Sequence, residues 1–267
     1  MSSTVLEAKR RARSPWTERL GRFGFAAKGV LYGIVALIAI QVALGSGKLE
    51  DKEGALHAVA GQPYGEILLI VLSAGLAGYA LWRFVEAAVG PRDEDGAKAL
   101  GKRLLSLGKG IVYAALCFAA VSILVGSGSS GSADEDETAA WLLDLPGGVW
   151  IVAGLGAALI VAGLFNGYRG VTTKFCDDLR DMSGTAERWV KRIGVLGHLA
   201  RMVVFGLMGA FLVKAALEYD PDEAVGLDGA LATVVQQPLG PALLGLVAAG
   251  LLAYGLFCLV QARYREL

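Results

Sequence analysis

The chain has 267 residues, 55% of them hydrophobic and only 19% charged, and its mean hydropathy is +0.54. A water-soluble domain of this length has no use for so much apolar surface, so the composition points to a polytopic, all-helical membrane protein. Formal net charge is zero, and the three cysteines include no CxxC pair, which supports neither a disulfide framework nor a thiolate metal site.

Residues 1–22 form a basic tail with Lys9, Arg10, Arg11, Arg13, Arg19 and Arg22. The apolar run Phe23–Leu44 follows, and Ala43-Leu44-Gly45 resembles a weak signal-peptidase site. The run is longer than a signal h-region and has counterparts later in the chain, so it is read as the first transmembrane helix. Five more runs are long enough to cross roughly 30 Å of hydrocarbon. They are Glu66–Val89, Leu104–Val125, Gly148–Tyr168, Gly194–Leu217 and Gly240–Val260. The six spans pair into three helix hairpins, at residues 23–91, 92–180 and 181–267.

The hairpins are copies of one unit. Gly54–Ala87 aligns without a gap to Gly229–Ala262, with 16 of 34 positions identical. The first helices also match: Lys28-Gly-Val-Leu-Tyr32, Lys109-Gly-Ile-Val-Tyr113 and Arg201-Met-Val-Val-Phe205. The middle copy is the most diverged, keeping Pro146 and Gly148 opposite Pro63 and Gly65, and Leu164-Phe165 opposite Leu81-Trp82. Short outer segments, Gly54–Ala60 and Gly229–Val235, read as small helices with an apolar face. In the middle copy, the Gly/Ser-rich stretch from Gly126 and the acids Asp134–Glu137 read as a solvated loop.

Charge chooses the sides. The tail, the loops after the second and fourth helices, and the C-terminus, together with the helix ends that adjoin them, carry 22 of the 25 Lys and Arg; only Lys48, Lys52 and Lys214 fall opposite. That opposite face carries 14 of the 25 acids, so the two faces differ as +11 and −11. The positive-inside rule then predicts both termini in the cytoplasm, with anionic lipid head groups attracted to the basic side. Three hairpins of one orientation are related by an axis along the membrane normal.

Lys28, Lys109 and Arg201 recur about two turns inside the cytoplasmic end of each first helix. They read as snorkelling anchors or as a ring for an anionic substrate or lipid. Arg83 and Glu86 are spaced to pair, and hairpin geometry places Glu86 at the depth of Lys28, where a Lys28–Glu86 contact is expected. The acid does not recur, since Arg169 and Gln261 align with it. Gln62-Pro63 and Gln237-Pro238 are predicted to start the second helices of the outer hairpins. Gly29 with Gly33, Gly75 with Gly78, and Gly163 with Gly167 offer small-residue faces for packing within the bundle or for homo-oligomerisation. Tyr32, Tyr79, Tyr113 and Tyr254 recur within the repeats and are expected to fill inter-helix space or bond across helices. His57 and His198 fall on opposite predicted faces, which excludes a shared metal site. No phosphate loop, nucleophile elbow or paired catalytic carboxylate appears, and nothing suggests a cofactor or nucleic acid.

The Lys-Gly-Val-Leu-Tyr start, the QPYG-to-GYALWR second helix and their threefold recurrence resemble the bacterial "domain of unknown function 1206" integral membrane proteins. The resemblance covers almost the whole chain after residue 19 and implies a six-helix inner-membrane protein, with no established activity to carry over. The three-times-two-helix plan also resembles that of mitochondrial carriers in layout alone, because the carrier motif Pro-x-[Asp/Glu]-x-x-[Lys/Arg] is missing from the odd helices. The expected function is a non-enzymatic membrane component acting through lipid or protein contacts. The alternative is a small transporter or channel with a pseudo-threefold central site.

Overall fold

The computed structural model describes residues 15–45, 56, 60, 65–90, 97–126, 142–143, 145–179, 184–219, 231–232, 234–236 and 238–265. Among these the chain is helical, with six long helices: α1 Pro15–Ala43, α2 Gly65–Val89, α3 Ala97–Leu124, α4 Gly148–Thr172, α5 Gly184–Glu218 and α6 Gly240–Tyr264. A 3-10 turn, Cys176–Asp178, lies between α4 and α5. All six long helices are long and apolar enough to cross a membrane, which makes this a multi-pass membrane protein.

Four helices contain the whole predicted span, α1 and α3 stop one residue short of it at Ala43 and Leu124, and most run further at one end or both. α5 starts ten residues before Gly194 and α3 seven before Leu104, through segments rich in Lys and Arg. Hydropathy falls there, but Lys and Arg are good helix formers, so backbone hydrogen bonding continues past the apolar core. The first three helices stop at glycines in the left-handed region, Gly45, Gly90 and Gly126 (φ 87°, 80° and 75°). Each donates its N–H back to a carbonyl of its last turn. Pro238 lies in the turn ahead of α6; the helix itself begins at Gly240 and takes Pro241 into its first turn. Gln62, Pro63 and Gln237 lie outside the described residues, as do His57 and most of Gly54–Ala60. Leu56 and its aligned partner Leu231 are helical and fully buried.

The chain divides into two compact units. The first comprises residues 1–29, 59–128 and 258–267, and within it α2 packs along α3. The second comprises residues 30–58 and 129–257, and within it α4 packs along α5. The α4–α5 crossing is set by paired glycines: a Cβ at Gly156 would lie 2.8 Å from the Gly209 carbonyl oxygen, and one at Gly209 2.6 Å from that of Gly156. Only glycine allows that approach. At the end of this pair, Leu143, Val152 and Ala216 form a small buried cluster, and the Tyr219 hydroxyl donates to the Leu143 carbonyl at 3.3 Å.

Protein covers 56% of the most apolar window in α1, α2 and α6, but only 22% in α3 and α4 and 28% in α5. The remaining surface is broadly aliphatic and aromatic, including Ile111, Phe118, Trp150, Val161 and Leu164, as a lipid-facing surface must be.

Candidate functional site

In the first unit the helices meet on Tyr79. Gly24 of α1 faces the backbone of Tyr79, where a Cβ would lie 2.6 Å from the tyrosine Cα. One turn along, Gly75 of α2 makes room for Ala27. The close crossing sets Phe25 edge-on to Tyr79 with ring centroids 5.2 Å apart, and 5.4 Å from Trp82. α3 adds Tyr113, whose ring is 4.5 Å from that of Tyr79. Lys28 is 7% exposed, and its Nζ lies 5.5 Å from the Tyr79 centroid and 5.7 Å from that of Tyr113. A cation so far inside a span is costly in hydrocarbon, and the faces of two tyrosines offset part of that cost.

Arg83, one turn along α2, donates from Nε and Nη2 to the Tyr79 hydroxyl at 3.0 and 2.7 Å. Its guanidinium also lies 4.4 Å from the Trp82 ring. Nη1 pairs with Glu86, which accepts a further bond from Ser106 Oγ of α3 at 2.7 Å. Arg265 places its guanidinium 5.0 Å from the Phe25 ring and 5.9 Å from that of Trp82.

The second unit rebuilds this hub around Tyr254. A Cβ at Gly197 would lie 2.6 Å from the Tyr254 Cα, and Gly250 faces Ala200 as Gly75 faces Ala27. His198 stands where Phe25 stood, its ring 5.6 Å from Tyr254 and 5.4 Å from Phe257. Tyr32 packs edge-on to Tyr254 at 4.9 Å, as Tyr113 does to Tyr79. Arg201 takes the place of Lys28: its guanidinium lies 4.5 Å from the Tyr254 ring and 5.8 Å from that of Tyr32, and Nη1 donates to the Tyr254 hydroxyl at 2.6 Å. The position of Arg265 is filled by an aromatic ring. Phe175, fully buried, stacks on His198 at 4.8 Å and meets Phe257 at 5.0 Å. His198 holds its orientation by a 2.7 Å bond from Nδ1 to the Gly194 carbonyl, so Nδ1 carries the proton.

Two of the three recurrent cations are thus seated on tyrosines. Lys109, the third, is half-buried on α3. The middle copy has Ala162 where the outer copies have Tyr79 and Tyr254, so no tyrosine from that position can serve Lys109. The Glu86 carboxylate, expected at the depth of Lys28, is held by Arg83 and Ser106. Gly75, Gly78, Gly163 and Gly167 all lie at close contacts, with Ala27, Leu20, and Met202 for the last pair. Gly29 is buried, whereas a Cβ at Gly33 would meet nothing within 4 Å among the described residues.

The tyrosines, expected to fill inter-helix space or bond across helices, do both, as the bond from Arg201 to Tyr254 shows, whereas Arg265, Phe175 and Ser106 carry no such expectation. The available signal was the joint recurrence of Gly24, Phe25 and Lys28 as Gly197, His198 and Arg201. The hubs can tie helices together and fix buried positive charge. Among the described residues there is no group of three or more His, Cys, Asp or Glu able to hold a metal.

The family model described as Domain of Unknown Function (DUF1206) matches three times, at residues 23–90, 106–173 and 196–265. An uncharacterised protein of Bacillus subtilis (strain 168), YxxB, is 32% identical over 260 residues, covering 95% of this chain and 93% of that protein. No solved structure is matched. The chain, a six-helix membrane protein carrying three copies of a two-helix repeat, belongs to the DUF1206 family.

Proposed function

We propose that this protein is a non-enzymatic, six-span component of the bacterial plasma membrane, with both termini cytoplasmic, acting through contacts with lipid or with other membrane proteins. The observation that carries the reading is the seating of two of the three repeated cations. Lys28 is 7% exposed beneath Tyr79 and Tyr113, and Arg201 is bonded to Tyr254. Cations that would have to meet a passing anion are committed to aromatic rings of their own fold. The wide aliphatic surface of α3 and α4 supports a role in which lipid or a partner helix is the contacting species. The charge difference between the two faces supports the orientation.

Purification from native membranes under mild detergent tests the reading. Lipid or a membrane protein should copurify in fixed ratio, and vesicles reconstituted with the protein should be no more permeable to small anions than empty ones. Anion flux that disappears in Lys28→Met or Arg201→Met would support the transporter reading instead. Orientation is tested separately: an impermeant thiol reagent applied to intact cells should label Asp134→Cys and leave native Cys176 unlabelled.

A further inference from the structure

We propose that the start of α5 and the end of α4 form a binding groove for the phosphate head and upper acyl chain of an anionic phospholipid. The inference rests on the reading of a membrane component that works through lipid contacts, and it names the site. The groove, about 540 Å³, is lined by Thr173, Arg188, Lys191, Arg192, Val195 and Leu196. The five α5 residues are spaced i, i+3, i+4, i+7 and i+8, so they share one helix face. Along that face three exposed cations give way to two aliphatic side chains. Charge and then hydrocarbon, in that order along one helix, is the order of a phospholipid from phosphate to acyl chain.

Three further features make this a built surface. Trp189, 62% exposed, sits beside the cations, with the Arg192 guanidinium 5.5 Å from its ring. An exposed indole at this level marks the membrane–water boundary, where a head group lies. The opposite wall is pinned: Thr173 ends α4 in the left-handed region (φ 55°), and Phe175, two residues on, is buried against His198 and Phe257. Gly194 makes this possible, because a Cβ there would overlap the Phe175 ring. Finally, the local charge balance is positive. Asp178 is paired with Arg169 at 2.6 Å, and Arg188, Lys191 and Arg192 outnumber the two other acids nearby, Asp177 and Glu187. Arginine offers the phosphate paired N–H donors, and lysine a mobile one.

The test uses the full chain, purified in detergent and stripped of lipid. Vesicle lipids of defined head group, phosphatidylglycerol or phosphatidylcholine, are added back, and retained lipid is read by native mass spectrometry. Wild type should retain phosphatidylglycerol in preference to phosphatidylcholine. Arg188→Gln, Lys191→Gln and Arg192→Gln together should abolish the preference, and each alone should weaken it about fivefold. Removing equal charge from the tail (Arg10→Gln, Arg11→Gln, Arg13→Gln) should leave it intact. Should the triple variant fail to fold, as judged by gel filtration, the single variants decide. Equal loss in the tail variant would reduce the effect to general electrostatics and overturn the site. Displacement of the lipid by inorganic phosphate at the same concentration would make it a free-anion site and overturn the lipid assignment. An intact preference in all groove variants would overturn the site while leaving the broader reading standing; anion flux through reconstituted vesicles would overturn that reading instead.

Discussion

The hubs around Tyr79 and Tyr254 share a skeleton and differ in charge. Both have a glycine under the tyrosine, a second tyrosine edge-on to it, and a cation over the pair. Around Tyr79 the remaining positions hold Arg83, Glu86 and Arg265. Around Tyr254 the equivalents of Phe25 and Arg265 are His198 and Phe175, and the residues of α6 aligned with Arg83 and Glu86 are the buried Cys258 and Gln261. What is repeated is therefore the crossing of two helices on a tyrosine. The surrounding ion pair is an addition to one copy. The tyrosines and their cation recur with the packing, and the Arg83–Glu86 pair does not.

The comparison can be broken by substitution. Tyr79→Ala should be the most damaging change, because it opens a cavity and strips Arg83 of its buried acceptor, at a cost of about 4 kcal/mol. Tyr254→Ala should cost less, about 3 kcal/mol, since Arg201 is partly exposed. Thermal aggregation in detergent would show the order, and the reverse order would mean that the ion pair contributes nothing to the first hub. Gly24→Val and Gly197→Val should each cost about 2 kcal/mol or more, and by similar amounts, because the same approach is blocked in both. A cost at one only would refute the shared skeleton. Glu86→Gln should cost about 1 kcal/mol, keeping a neutral bond to Ser106 while losing the charge of the pair.

The smallest effect concerns Cys176, in the connection that carries Phe175. Partial burial pushes its thiol above the ordinary cysteine value, helped by Glu187 and Asp177 and opposed by Lys191. The reactive thiolate is therefore scarcer at neutral pH than for a free cysteine, and alkylation should keep accelerating with pH beyond the point at which a free thiol levels off. A rate at pH 7 equal to that of a small free thiol would show that the connection is open.

The spans were legible because an apolar run of about twenty residues has few alternatives to a membrane helix. The helix ends were not, since hydropathy reads where lipid begins and hydrogen bonding continues through Arg188, Lys191 and Arg192. Lys28 and Arg201 stood out because charge is conspicuous inside an apolar run. Their partners did not. Tyr113 and Tyr32 come from first helices of other hairpins, and Arg265 and Phe175 from beyond a second helix, so no local spacing reveals them. The second-helix tyrosines were visible in the repeat, but periodicity alone cannot tell a filler from a hub.

Solvent access to the two cation positions tests the central claim most directly. In a background with Cys117, Cys176 and Cys258 replaced by alanine, Lys28→Cys and Arg201→Cys would be exposed to a charged methanethiosulfonate reagent in reconstituted vesicles, with Asp134→Cys as the accessible control. If the cations are ties between helices, both positions should react at less than about a tenth of the control rate until the protein is denatured. Labelling of both at rates close to the control, in folded protein, would mean that water reaches the hubs and would contradict the account.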